Sequence, residues 1–437
     1  MLKMTRKEKR TKKGEINFLR EFIIISNHFF KNFKKKLASV KEVRHTSYVT
    51  YEPELLLFVI IMKSVTGIIS MNQMTRDFNT DNSIKNIAVV LGYEELEEIP
   101  HYDTINNFLK KLEPKELEKI RDYMIRELFR KRCLEKFRLL DKYWCIAIDG
   151  TQIASFDTKH YDNCLKKEYK NKETKEVEQT IYYNVVLEAK LIVGDMAFSV
   201  ASEFIENLDE HYDKQDCEIK GAKRLAKKLK RKFPKLPICL LGDSLYSCEP
   251  FYQICEENKW EFVLRFKEGR AKSLWDEFQA IKKIECPKKD IHNFINEVPY
   301  NKRLLNIVET NEVIEDATKN FVFVTSLNIT EKNVGYISSA GRSRWKIENQ
   351  GFNNQKNIRY DITHSCCFDN QAMKNHYILI QIADILRQLL EHGSAAIKEI
   401  KAGIKEISSR ILESFQREPL IPEDISNLKT HIKIRDL

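Results

Sequence analysis

The apolar residues between Tyr143 and Phe266 fall into short runs whose spacing changes kind in a definite order, and this restricts the possible folds more than any other feature of the chain. Tyr143 to Ile148 is too short for a helix and reads as a buried strand ending in Asp149 and Gly150. Ile181 to Val193 and Met196 to Ile205 read as two longer strands joined by a turn at Gly194 and Asp195. A basic helix follows from about Lys220 to Phe233. Pro234 and Pro237 then bracket the entry to a strand, Ile238 to Leu241, which ends at Gly242 and Asp243. A helix near Phe251 to Asn258 and a strand from Glu261 to Phe266 complete the series. Three strands, then helix, strand, helix, strand, specify an α/β fold with a mixed sheet and flanking helices.

That order is the one expected of an RNase H-like sheet. On its N-terminal side, Glu52 to Leu134 carries helical spacing, as in Leu55, Leu56, Val59 and Ile60 or Ile120, Tyr123, Met124 and Leu128, so this region is expected to be all-α. Thr104 stands just before one apolar helix face and Pro114 marks the break before the next helix; packing on the core is the plain use of such a helix and reading DNA the sharper one. Residues 270–335 interrupt the rhythm with runs at Leu304 to Val308 and Phe321 to Thr325, a β-rich insertion. Helical periodicity returns at about Gly341 and continues through Ile378, Ile382, Ile385 and Leu389, then Ile397, Ile400, Ile404, Ile407 and Ile411. The expected division is a basic N-terminal arm (1–45), a helical domain (46–140), the first part of the core (141–269), the insertion (270–335), the second part of the core (336–392) and a helical tail (393–437). With 42% hydrophobic residues, including 24 Phe and 17 Tyr, there is apolar area enough for such cores.

The formal charge of +10 is concentrated at one end. Residues 1–45 hold 14 Lys or Arg, Lys34, Lys35 and Lys36 among them, against four Glu, so the remaining residues balance. A basic arm suits a polyanion, because each neutralised phosphate releases condensed counterions; a solvated terminus is the plain alternative. The ten Cys show no paired spacing of the kind a structural zinc site uses, and they read as reduced thiols of a cytoplasmic protein. His364, Cys366 and Cys367 lack an evident fourth ligand. The N-terminal residues do not read as a signal peptide, and the longest apolar run, Leu55 to Met62, falls short of the roughly 20 residues of a membrane span; no membrane partner is expected.

Asp149 and Asp243 each end a buried run beside small or hydroxyl residues, Ile148-Asp149-Gly150-Thr151 and Gly242-Asp243-Ser244. Singly, an Asp in this position is commonly a turn former or helix cap. As a pair at the ends of neighbouring strands, the two could supply hard oxygen ligands to divalent cations. Asp141, Asp157, Glu188 and Asp195 compete for that role from polar, turn or mid-strand settings. A third carboxylate is offered by Glu348 in the segment Arg344-Trp345-Lys346-Ile347-Glu348, read as a helix. At about 100° per residue, Arg344, Glu348, Gln355 and Arg359 share a face, with Lys356 about 80° round from Glu348.

On these residues the chain resembles, over most of its length, the DDE transposases of the bacterial insertion-sequence type, in the branch with a β-rich insertion before the catalytic Glu. The most specific element is Arg344, then Glu348 four residues on, then a basic residue two turns further. The chain departs from the family pattern at Gly341, where Tyr is usual, and at Gln355, where Lys is usual; Tyr336 and Lys356 are the nearest substitutes. The resemblance implies cut-and-paste transposition, in which hydrolysis at the element's ends frees a 3′ hydroxyl that attacks target DNA. It further implies that Asp149, Asp243 and Glu348 are catalytic and hold two Mg²⁺ or Mn²⁺ ions, with Arg344, Lys356, Arg359 and the basic Lys34, Lys35 and Lys36 on DNA and Trp345 a candidate stacking partner for a flipped base. The implied partners are element ends and target DNA, with a homodimer in the DNA complex; the implied location is the bacterial cytoplasm, at the nucleoid. Two other readings stand beside it: a transposase-derived DNA-binding protein that no longer cuts, and a structure-specific nuclease of the same fold.

Overall fold

The computed structural model describes residues 16–207, 214–284 and 286–423. The chain forms two compact units, one made of Met1–Leu134, Lys159–Tyr161 and Asn353–Leu437, the other of Glu135–Thr158 and Asp162–Phe352.

The first unit is helical. Its N-terminal elements are α1 (Phe18–Phe29), α2 (Phe33–Ala38), α3 (Pro53–Val65), α4 (Met71–Phe78), α5 (Asp81–Leu91), α6 (Tyr102–Lys111) and α7 (Pro114–Arg130). Helix α1 begins where the Asn17 side chain accepts the Arg20 amide at 2.7 Å, which satisfies one of the free N–H groups at a helix start. Phe18, Leu19, Phe22, Ile25 and Phe29 are buried, as are Phe33 and Leu37 of α2. Within the stretch expected to be a basic arm, Phe18–Phe29 and Phe33–Ala38 are therefore folded helix, with Lys34, Lys35 and Lys36 between the buried Phe33 and Leu37; residues 1–15 lie outside the described part. Pro114 takes the first turn of α7, where its missing N–H costs nothing.

The second unit is built on one mixed sheet of ten strands: β1 (Trp144–Phe156), β2 (Leu165–Lys170), β3 (Val177–Val193), β4 (Met196–Ile205), β5 (Ile238–Gly242), β6 (Glu261–Arg265), β7 (Lys288–Lys289), β8 (His292–Tyr300), β9 (Arg303–Ile314) and β10 (Ala317–Thr325). The lateral order is β2-β3-β1-β5-β6-β10-β9-β8-β7, with β4 also on β3. Strand β1 runs antiparallel to β3 and parallel to β5, and β5 runs parallel to β6. The β3–β4 turn pairs Val193 with Met196, leaving Gly194 at φ +57°, a conformation glycine adopts without strain. Helices α8 (Glu218–Lys232), α9 (Glu249–Asn258) and α10 (Lys272–Ile284) fall between strands.

The 270–335 region is continuous with this sheet: Phe323, Val324 and Thr325 of β10 pair with Arg265, Leu264 and Val263 of β6. The chain then enters α11 (Val334–Ser343) and, after a tight turn, a π-helix over Ile347–Arg359. Ala147, Leu241, Val263, Phe323, Ile337 and Ile347 meet in one core.

The chain's return to the helical unit corrects the expected division at 336–392. Helix α12 (Asn370–Gly393) packs on α1, α3, α6 and α7, all of the helical unit, and α13 (Ala395–Ile400) and α14 (Ile404–Arg417) follow it there. Among the described residues, no helix is long and apolar enough to cross a membrane.

Candidate active site

The parallel register of β1 on β5 pairs Cys145 with Cys239 and Ala147 with Leu241. Carried two residues further at the same offset, it sets Asp149 opposite Asp243. Neighbouring strands lie about 4.8 Å apart and opposed residues point to one face, so this alignment presents two carboxylates side by side. Asp243 caps the short turn Ser244–Tyr246 by accepting the Leu245 amide at 2.8 Å, so the commoner role of a strand-end Asp is filled here too. Asp149 accepts the Gly150 amide on Oδ1 at 3.0 Å.

Glu348 reaches the same place from the start of the π-helix. The Arg344 Nη1 atom lies 2.7 Å from Glu348 Oε1 and 3.5 Å from Asp149 Oδ2, so those two oxygens are no further apart than the sum of the two distances. The Asp149 side chain is 19% exposed and that of Glu348 51%, which leaves Glu348 open to an incoming group.

A fourth carboxylate joins them. Glu218, in the first turn of α8, accepts a hydrogen bond from the buried Tyr246 hydroxyl at 3.2 Å. A side chain at residue 150 would overlap the Glu218 carboxylate, so Gly150 is the residue that admits it.

The four acids repel one another. Burial, with smaller contributions from Glu348, Asp243 and Glu218, pushes the Asp149 carboxyl from 3.8 up to about 7 against the opposing pull of Arg344. Glu218 is raised by burial and by Asp243, with the Tyr246 hydroxyl acting the other way. Tyr246 is held well above its usual value by burial and then by Glu218, Asp149 and Asp243, so its proton stays on the phenol as a donor.

The other expected site residues are placed as follows. Trp345 neighbours Arg344 and is 40% exposed. Arg359 is buried in the helical unit, 2.5 Å from Glu391 and 3.5 Å from Asp384, so it has carboxylate partners where phosphate was expected. Gln355 is buried there too, donating to Gln381 at 3.0 Å and Asp384 at 2.8 Å. The expected common face of Arg344, Glu348, Gln355 and Arg359 fails because α11 ends at Ser343 and the following turns are π-helical, with a different angular step. Lys356 lines a cleft of about 540 Å³ in the helical unit with Gln73, Asp361, Lys405 and Ser408. Lys34, Lys35 and Lys36 stand exposed on α2.

Of the competing acids, Glu188 lies directly across from Asp149 on β3, fully buried, and accepts from Ser199 Oγ at 2.6 Å and from Ser202 Oγ. Cys366 lies 3.6 Å from Lys63 Nζ.

Sequence reading passed over Glu218, because the helix was expected to begin at Lys220. A lone acid opening a helix otherwise full of Lys and Arg is the available signal, although it serves the helix dipole equally well. Tyr246, a buried hydroxyl within a predicted loop, carried no periodic signal.

Among the described residues, no three His, Cys, Asp or Glu side chains are already arranged to hold a metal ion. The donor chemistry nevertheless fits a divalent cation of the magnesium class. The four acids offer hard oxygen ligands, and their repulsion is met by a single guanidinium, Arg344, in contact with two of them. The chain matches no family model and no curated protein.

Proposed function

We propose that this protein is a DNA transposase of the DDE type, with an RNase H-like catalytic unit, that cuts DNA at the ends of a mobile element and joins the freed ends to a target. The observation that carries this reading is the convergence of three acids far apart in the sequence: Asp149 and Glu348 on Arg344, at 3.5 and 2.7 Å, with Asp243 following the strand that pairs beside Asp149's own. The sheet supports it as well: in an antiparallel β4-β3-β1 arrangement followed by parallel β5 and β6, Asp149 lies within β1, which runs on past it to Phe156, and Asp243 follows the end of the adjacent β5.

The reaction is an in-line displacement at phosphorus. A water oxygen attacks the scissile phosphate, losing a proton, and the 3′ oxygen leaves and takes one up; in the joining step, that 3′ hydroxyl oxygen loses its proton and attacks a target phosphate, from which the target strand's own 3′ oxygen leaves as a hydroxyl. Asp149, Asp243 and Glu348, with Glu218 beside them, would hold two magnesium or manganese ions, which supply a lowered pKa for the attacking oxygen and charge neutralisation for the leaving one. Asp149 must shed its proton to serve as a ligand, and its value near 7 lets it do so at neutral pH. Arg344 is then released from its carboxylate partners and offers a cation to the phosphate. The Tyr246 hydroxyl keeps the Glu218 carboxylate oriented.

The test uses labelled duplexes taken from the DNA that flanks the coding sequence, with magnesium, comparing the native protein with Asp149→Ala and Glu348→Ala. Strand cleavage should be lost in both variants, while DNA binding stays within about tenfold of native, because removing a ligand disables metal capture more than phosphate contact. Cleavage by either variant at the native rate refutes the assignment. One observation favours a second reading, a DNA-binding protein that no longer cuts: Gln355, where the family carries Lys, is buried among Gln381 and Asp384. Binding of the flanking duplexes without cleavage by the native protein selects that reading.

A further inference from the structure

Two cations that the catalytic assignment does not use, Arg265 and Arg342, are gathered on one aromatic ring. Arg265 ends β6, Phe321 lies on β10 and Arg342 is in the last turn of α11. The Arg342 guanidinium stacks 3.7 Å from the centre of the Phe321 ring, and that of Arg265 lies 5.1 Å from the same ring and 5.6 Å from Phe323. One aromatic ring is thus shared by two guanidinium groups from different elements.

Arg265 is anchored by donating to the carbonyls of Val322 at 3.1 Å and Asn320 at 3.0 Å. These acceptors are neutral, so its charge is not cancelled there. Arg342 has one carboxylate, Glu312, at 3.2 Å, and both of those side chains remain about 30% exposed. Burial and the repulsion of Arg342 and Arg344 together pull the Arg265 value down, which places Arg265 within electrostatic reach of both. Arg342 shares its charge with Glu312 and Arg344 with Glu348 and Asp149, whereas the acceptors that anchor Arg265 are neutral, so an anion reaching Arg265 and the exposed edge of Arg342 would be held by both. Stacking on Phe321 fixes the plane of the Arg342 guanidinium while leaving its N–H edge able to donate in a fork, the geometry that suits phosphate oxygens.

We infer that Arg265 and Arg342, held on Phe321, form a subsite for a backbone phosphate of the DNA strand next to the one that Arg344 and the acids engage. This rests on the proposed function and names how that site grips its substrate beyond the scissile bond. A neighbouring phosphate of the same strand is the fitting occupant, because Arg342 lies two residues before Arg344 on the chain and the strand carries one charge about every 3.4 Å of its rise.

The experiment measures binding of the flanking duplexes in EDTA, over a range of sodium chloride concentrations, for native protein, Arg342→Ala, Arg342→Lys and Arg265→Ala. Loss of one phosphate contact should lower the slope of log affinity against log salt by about 0.7–0.9 and weaken binding about tenfold at about 0.1 M salt for Arg342→Ala. Arg342→Lys keeps the cation and should restore most of the slope. Arg265→Ala should behave like Arg342→Ala; should it fail to fold, having lost its carbonyl anchors, Arg342→Ala and Arg342→Lys decide the matter. Native slopes in a folded Arg342→Ala show that the stack is only a staple between α11 and β10, and overturn the subsite while leaving the transposase reading intact. A native protein that neither binds nor cuts the duplexes overturns both.

Discussion

Replacing Asp149 by Asn should stabilise the ligand-free protein, and the gain should depend on pH in a way that only a strained carboxylate explains. Asp149 holds its proton up to about 7 in the folded protein, against an ordinary value of 3.8. Between those two values the native state binds more protons than the unfolded chain, so stability falls as pH rises through that window. About three pKa units at about 1.4 kcal/mol each set a ceiling of about 4 kcal/mol on the cost of the ionised form at pH 8. Partial solvent access and the loss of the Arg344 contact reduce the gain expected of Asn to about 2 kcal/mol, and at pH 5, where much of the native Asp149 is protonated, to under about 1 kcal/mol.

Thermal unfolding in EDTA reads this directly, since about 1 kcal/mol moves the midpoint of a unit of this size by roughly 2–4 °C. Asp149→Asn should unfold about 4–8 °C above the native protein at pH 8, with the difference shrinking towards pH 4. Magnesium at about ten times its dissociation constant should add about 1.4 kcal/mol to the native protein and almost none to the variant. A variant less stable than native at pH 8, or a difference that does not change from pH 8 to pH 5, would show that Asp149 is not a buried carboxyl that holds its proton, and would refute the reasoning.

Tyr246→Phe deletes the donor to Glu218 and should cost about 1–2 kcal/mol at pH 8, less near pH 4.5 where Glu218 is protonated; urea midpoints at the two pH values check it. Gly341→Ala places a Cβ about 2.6 Å from the Phe323 ring, so α11 or the ring must move, at about 1–3 kcal/mol by the same measurement; an unchanged midpoint would mean the contact is slack. Asp384→Ala strips a buried carboxylate from Arg359, Gln355, Tyr360 and Gln388, and should cost about 3 kcal/mol, seen as early exchange of α12 amides in hydrogen exchange.

The central strands were legible because each contains an apolar run buried on both faces, although β1 does not end at Asp149 as its run does but continues to Phe156, held by its pairing with β3. Thus Tyr143 to Ile148 begins β1, Ile238 to Leu241 is most of β5, and the turn at Gly194 and Asp195 joins β3 to β4. Elements that borrow their stability from neighbours were not legible. Strand β2 reads Leu-Lys-Lys-Glu-Tyr-Lys and exposes all but its first residue, so pairing with β3 makes it a strand, not any alternation of its own. Helix α10 buries only Leu274 and Phe278, and β8 contains Pro299 and a register shift between Ile295 and Val298. Of the site, Asp149, Asp243 and Glu348 could be singled out by position at the ends of periodic runs. Glu218 and the Arg265–Phe321–Arg342 stack could not, because their meaning lies in contacts between segments that local spacing does not record.

The two departures from the transposase pattern take on a physical sense in the same way. A chain that has merely decayed leaves altered positions slack, whereas both altered positions here are tightly held. Gly341 lies where α11 crosses Phe323 with no room for a Cβ, and that close approach goes with the placing of Arg342 on Phe321 and of Arg344 on Asp149 and Glu348. A Tyr at 341 would drive the helix off the sheet, pulling Arg342 from Phe321 and Arg344 from Asp149 and Glu348. Gln355 fills an interior site whose partners, Gln381 and Asp384, it bonds directly; a Lys there would add a second cation to an interior where Arg359 already faces Asp384.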